Sequence, residues 1–200
     1  SSKIDRNKIE TEPAQTKEII QTVSIKTPIE KLMLGYHTVA EDNDDIIALE
    51  LLRMVLASGK TSRLSKHLVD SNVASNINVD NDEKKHPGLF VFFVNLQKNK
   101  TTNQAVSIIE HELKQVEQGK VSEQEVKRAI ALFKLSLFDG LASPANKAHF
   151  LGFYETVGKK FSRGIEIANK ISKVSSNDLA RIVKKYFKKN NRIQIIGKSS

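Results

Sequence analysis

The chain contains no cysteine in 200 residues. Disulfides, thiolate metal sites and a cysteine nucleophile are therefore excluded, while the redox compartment stays open. No apolar run approaches the roughly 20 residues that a helix needs to cross a bilayer, so the expectation is a soluble chain without a membrane span. The opening stretch SSKIDRNKIETEPAQTKE lacks the apolar core of a signal peptide. Residues 1–17 read as a linker or tail, and residues 18–200 as one domain of a longer parent protein. Glycine-rich phosphate loops are missing as well, since Gly35, Gly59 and Gly88 each stand alone.

Histidine is present but badly spaced for a metal. The five are His37, His67, His86, His111 and His149, and no two lie four apart. A helical H-x-x-E-H site needs that spacing to aim both imidazoles at one ion. His37 with Glu41, and the run Glu110-His111-Glu112, come nearest. In the run, adjacent helical side chains diverge by about 100° and cannot share a ligand. No metal site is assigned. A G-x-S-x-G elbow is also absent, so Ser62 in KTSRL reads as an N-cap or first-turn residue rather than a nucleophile. The residues alone supply no catalytic constellation.

What is there is charge and regular apolar patterning. The net charge is +9, from 32 basic and 23 acidic residues. Arg181, Lys184, Lys185, Lys188, Lys189, Arg192 and Lys198 follow Asp178 with no acidic residue among them. Nucleic acid or an anionic membrane would suit such a surface, and so would a solvated helix end whose dipole the cations complement. Tyr186 and Phe187 fall at helical spacing from Ile182 and Val183, which predicts core-facing rings and favours the helix end.

Segment by segment, residues 18–28 alternate, with Ile19 or Ile20, Val23 and Ile25 on a candidate buried face, and end at Pro28. KLMLGYHTVA is a second strand. DIIALELLRMVLAS carries Ile46, Leu49, Leu52, Val55 and Leu56 on one stripe and stops at Gly59. A short helix over 61–70 follows, with Leu64 and Leu68 four apart. VASNINVD sets Val73, Ser75, Ile77 and Val79 on one face of a strand, and a polar turn leads to GLFVFFVNLQ, predicting an antiparallel hairpin. The second half is mostly helical. Its signals are a capping box at Ser122 and Glu125, a break at Pro144, N-cap chemistry at SSND, and a closing strand RIQIIGK. This predicts an α+β fold, a largely antiparallel sheet with helices packed on one face.

Four stretches carry a family resemblance: LELLRMVLASGKTSRLSKHL (49–68), HPGLFVFFVNL, VSEQEVKRAIALFKLSL and VSSNDLARIVKKYF. In this order and spacing they resemble the C-terminal half-domain of the pitrilysin-type zinc metallopeptidases, whose members include insulin-degrading enzyme and the mitochondrial processing peptidase. The likeness covers roughly residues 18–197 and is nearest the processing-peptidase branch. It implies that zinc sits in an upstream homologous domain carrying H-x-x-E-H, whose Glu activates the metal-bound water for peptide hydrolysis. The later domain closes the peptide-binding chamber. In active pairings it also supplies an Arg and a Tyr that bind substrate and polarise the scissile carbonyl.

Carried over residue by residue, those clamp positions fall on Val69 and Ser75. Valine has no donor, and a serine hydroxyl is several Å shorter than a phenol. Arg63, the arginine of S-R-L, is one helical turn away and out of register. The resemblance therefore implies a non-catalytic domain that binds no metal itself. Its expected partners are the upstream zinc domain, a related subunit in a homo- or hetero-oligomer, and peptide substrate, with no nucleic acid. The alternatives are a scaffold or regulatory subunit of an inactive homologue and, third, a basic nucleic-acid-binding domain. The sequence fixes no cellular address; a bacterial periplasm or envelope is compatible with the family and with the lack of cysteine.

Overall fold

Two apolar runs make the centre of the molecule. In the computed structural model, which describes residues 12–199, KLMLGYH forms β2 (Lys31–His37) and LFVFFVNL forms β4 (Leu89–Leu96). They pair antiparallel, with Leu34 opposite Phe92. β3 (Ala74–Asn81) lies antiparallel on the far side of β4, and β5 (Arg192–Ser199) antiparallel on the far side of β2. β1 (Ile19–Ile25) closes the other edge parallel to β5, so the order is β1-β5-β2-β4-β3. Residues 1–11 of the expected linker lie outside the described residues. Just before β1, Gln15 Nε2 donates to the Arg192 carbonyl at 2.8 Å and ties this segment to the sheet.

Alternation decides which face is covered. Leu32, Leu34 and Tyr36 of β2 and Phe90, Phe92, Val94 and Leu96 of β4 are buried, whereas Lys31, Met33 and Phe93 between them are exposed. Four helices form the layer over the buried side: α1 (Asp45–Ala57), α2 (Thr102–Glu117), α3 (Glu123–Gly140) and α6 (Ser176–Tyr186). α4 (Pro144–Thr156) and α5 (Arg163–Lys170) pack against each other at the edge of this layer. The chain thus adopts the expected α+β architecture.

The caps follow from the residues at the helix starts. Ser122 with Glu125, and Ser175 with Asp178, form reciprocal capping boxes, and Thr101 with Gln104 forms a third. Pro144 opens α4 behind Ser143, whose hydroxyl accepts from the Asn146 amide. Phe187, just past α6, packs its ring 4.9 Å from Tyr36 and 5.0 Å from Phe90, so the core-facing expectation for this pair holds.

α1 is the buried helix that its apolar run predicts: 11 of its 13 residues are buried, with α3 and α6 packed against it. One expectation changes. In β1, Ile19 and Ile20 are 45% and 58% exposed rather than buried, because the strand is an edge beyond the helical layer.

Candidate functional site

The polar run Ser62, Arg63, Ser65, Lys66, His67 is the place where the sequence most resembles a catalytic cluster, and its geometry is that of a fastener. Ser62 is fully buried and its Oγ donates to Ser65 Oγ at 2.9 Å, so the expected cap on a backbone amide is replaced by a hydroxyl pair. Arg63 donates from Nε and Nη2 to the two oxygens of Glu125, at 2.7 and 3.0 Å. The same guanidinium reaches Glu112 at 3.4 Å and the Lys120 carbonyl.

Burial alone would raise the Glu125 carboxyl, but hydrogen bonds from Arg63 and Ser122 outweigh it and hold the group down to about 2. Glu112, 3% exposed, also lies 2.8 Å from His67 Nδ1. The run Glu110-His111-Glu112 splits as helical geometry requires: Glu110 pairs with Arg192 and Glu112 with Arg63. The serine hydroxyls here bond to another hydroxyl, a carboxylate or a backbone carbonyl and none to an imidazole, so the cluster lacks a nucleophile–base pair. Its groove, about 620 Å³ and lined by Lys66, His67, His111, Lys120 and Arg128 among others, is polar.

Val69 and Ser75, where the family resemblance implies a substrate clamp, lie beside this fastener. The short helix expected over 61–70 is instead a π-helical turn from Ser65 to Asp70, a wider i→i+5 coil that recurs at functional sites. Val69 is on this turn, half-buried. Leu64 and Leu68, the apolar pair that predicted the helix, are fully buried beneath it. Ser75 sits in the register shift of β3 between Ala74 and Asn76. That bulge buries Ala74 and turns Ser75 out to solvent, so the simple alternation from Val73 to Val79 fails at its start. Ser75 Oγ donates its one proton to the Asn95 carbonyl at 3.1 Å.

Metal chemistry has one further place to be tested. On α1, Glu50, Arg53 and Met54 stand at i, i+3 and i+4, the spacing of H-x-x-E-H on a buried helix. Arg53 Nη2 and Nε donate to the Glu50 carboxylate at 2.5 and 3.0 Å, and Nη2 approaches Met54 Sδ at 3.8 Å. A fixed guanidinium thus occupies the carboxylate that a metal would need, and these residues do not fit zinc. Among the described residues, no group of three or more His, Asp or Glu is placed to hold a metal ion.

Around this pair lies a set of charges of which only Glu41 stood out in the sequence, beside His37. Glu41, with no exposed surface, bonds Arg163 Nε at 3.3 Å through Oε1, while its Oε2 has no hydrogen-bond partner. Burial pushes the Glu41 carboxyl up, against the pull of Arg163. Glu83, half-buried on the β3–β4 loop, is pushed up to about 7 by burial and by the neighbouring Glu50, Glu41 and Asp80, with Arg53 opposing. A second sequence signal for this group was the pair of charges inside the apolar run ALELLRMVLA.

The basic C-terminal stretch is partly neutralised across the fold. Arg181 and Lys185 pair with Asp45 at 2.8 and 2.7 Å, and Arg192 pairs with Glu18 and Glu110. Asp45 is raised by burial but more strongly lowered by hydrogen bonds from Lys185, Tyr186 and Arg181, to about 2. These acids come from the opposite end of the sequence or from other helices, which is why the run looked unpaired.

Comparison with known proteins agrees with this geometry. The chain is 28% identical over 177 residues to the mitochondrial-processing peptidase subunit alpha-2 of Dictyostelium discoideum, covering 84% of this chain and 39% of that subunit. A protease from Helicobacter pylori has the same fold, with a TM-score of 0.88 at 23% identity over 98% of this chain and 48% of its own. So does a peptidase M16 inactive domain from Pseudomonas fluorescens, with a TM-score of 0.80 at 15% identity over 95% of this chain and 45% of its own. The chain spans less than half the length of each. No helix among the described residues is long and apolar enough to cross a membrane. Residues 1–133 match the family described as the Peptidase M16 inactive domain, and the chain belongs to that family.

Proposed function

We propose that this inactive domain closes the peptide-binding chamber of a zinc endopeptidase whose metal is held by an upstream half of the parent protein. The observation that carries the reading is at the clamp positions. Val69, on the π-helical turn, has no donor, and Ser75, on the bulge, spends its proton on Asn95. Hydrolysis must then be completed by residues of other domains or of a related subunit. Zinc would be held by the upstream half, since the Arg53 guanidinium already occupies the Glu50 carboxylate here.

The test has two arms. The upstream sequence of the parent should contain H-x-x-E-H; its absence there would select the scaffold or regulatory role instead. The purified chain should show no stoichiometric zinc uptake by calorimetry and no cleavage of a quenched fluorogenic peptide. The parent should cleave that peptide and lose activity when this domain is deleted. Tight zinc binding or cleavage by the chain alone would overturn the reading.

A further inference from the structure

The C-terminal half of α3, helix α4 and the β3–β4 loop enclose a pocket of about 510 Å³. Its walls are Leu137, Phe150, Phe153 and Tyr154, with His149 at one side, and a single carboxylate, Glu83, faces it. The rings are fixed against one another. Phe150 and Tyr154 meet edge to face at 4.8 Å, Phe153 and Tyr154 at 5.1 Å, and His149 stacks on Phe153 at 6.5 Å. Gly164 of α5 lies so close that a Cβ there would fall 2.2 Å from Phe150 Cζ and 2.4 Å from Tyr154 Cε2, so the aromatic wall is held from behind.

Charge says what this pocket takes. Glu83 makes no hydrogen bond or ion pair among the described residues, and its charged neighbours are mostly of its own sign. Glu50 and Glu41 are already engaged by Arg53 and Arg163 respectively, so neither guanidinium is free to serve it. In a chain of net charge +9 this is a local excess of negative charge opening onto aromatic faces. A compact cation gains twice there, from the carboxylate and from the ring quadrupoles within about 6 Å. An anionic guest is repelled, and a purely apolar one leaves Glu83 desolvated and unpaired.

We propose that this pocket binds a cationic side chain, lysine or arginine, presented by a segment of a partner protein, with Glu83 as its counter-ion and Phe150, Phe153 and Tyr154 as its walls. The site is independent of the clamp positions and of whether the parent holds zinc.

Because burial and the neighbouring acids push the Glu83 carboxyl up to about 7, binding is linked to its ionisation. The groups facing it are Glu50, Glu41, Arg53 and Asp80, Tyr154, and His149 across the pocket. Tyr154 is pushed up by burial and by these acids, and so stays a neutral phenol.

The experiment is an NMR titration of the intact chain at low ionic strength, reading the ring signals of His149 and Phe153. The probes are Nα-acetylarginine amide and its uncharged isostere Nα-acetylcitrulline amide. Saturable shifts are expected with the arginine probe, with at least tenfold weaker binding for citrulline and for arginine on Glu83→Gln. Phe153→Leu, which keeps an apolar side chain but removes a π face, should weaken binding severalfold. Affinity should rise about tenfold between pH 6 and pH 8 as Glu83 ionises, and this rise should be lost in Glu83→Gln. Equal binding of the two probes, unchanged affinity in Glu83→Gln, or no saturable shift would overturn the proposal.

Discussion

Replacing Arg63 by methionine tests whether the polar cluster is structural. The substitution keeps most of the apolar stem and removes the guanidinium that holds Glu125 and Glu112. Each tenfold change in proton affinity is worth about 1.4 kcal/mol. The depression of Glu125 from its ordinary 4.5 to about 2 therefore corresponds to about 3 kcal/mol. Part of that belongs to the Ser122 amide, which the substitution leaves in place. Arg63 is left with about 2 kcal/mol, and stranding the buried Glu112 with His67 as its remaining partner adds on the order of 1 kcal/mol.

The expected loss at pH 7 is thus about 2–3 kcal/mol, read from urea denaturation. The sign with pH is fixed. Glu125 is depressed in the folded state, so its contribution is complete above its unfolded value of 4.5 and fades as pH falls toward 2. At pH 3 the penalty of Arg63→Met should be less than half that at pH 7. A double-mutant cycle with Glu125→Gln should give a coupling on the order of 1–2 kcal/mol at pH 7. A loss below about 0.5 kcal/mol at pH 7, within the range of ordinary surface substitutions, or an equal loss at both pH values, would refute the fastener.

Glu83→Gln should act in the opposite direction. The folded-state carboxyl is raised from 4.5 to about 7, so wild-type stability falls as pH rises through that window, and the glutamine chain should gain up to about 3 kcal/mol at pH 8 and nothing below pH 4.5. Urea midpoints across that range decide it, and a pH-independent difference would count against a buried ionising group. Gly164→Ala should destabilise by about 1–2 kcal/mol, since overpacking against Phe150 and Tyr154 exceeds the helical gain from alanine. Gly152→Ala, with open space around its Cβ, should instead leave stability unchanged or raise it by up to about 1 kcal/mol in the same measurement.

Apolar period and cap chemistry lie within each segment, so the sequence alone determined the elements. The alternation of KLMLGYH and GLFVFFVNLQ, the boxes at Ser122 and Ser175 and the stop at Gly59 specify strands and helices through contacts a few residues long. Tertiary structure alone decided what depends on partners distant in the chain. It left Ile19 and Ile20 on an exposed edge and widened 65–70 into a π-turn. It bulged β3 at Ser75, paired Arg63 with Glu125 across 62 positions, and gathered Glu41, Glu50 and Glu83 from three separate segments around Arg53 and Arg163. Those outcomes are fixed by burial and by which charge has a counter-charge within reach, and neither quantity exists until the chain has closed on itself.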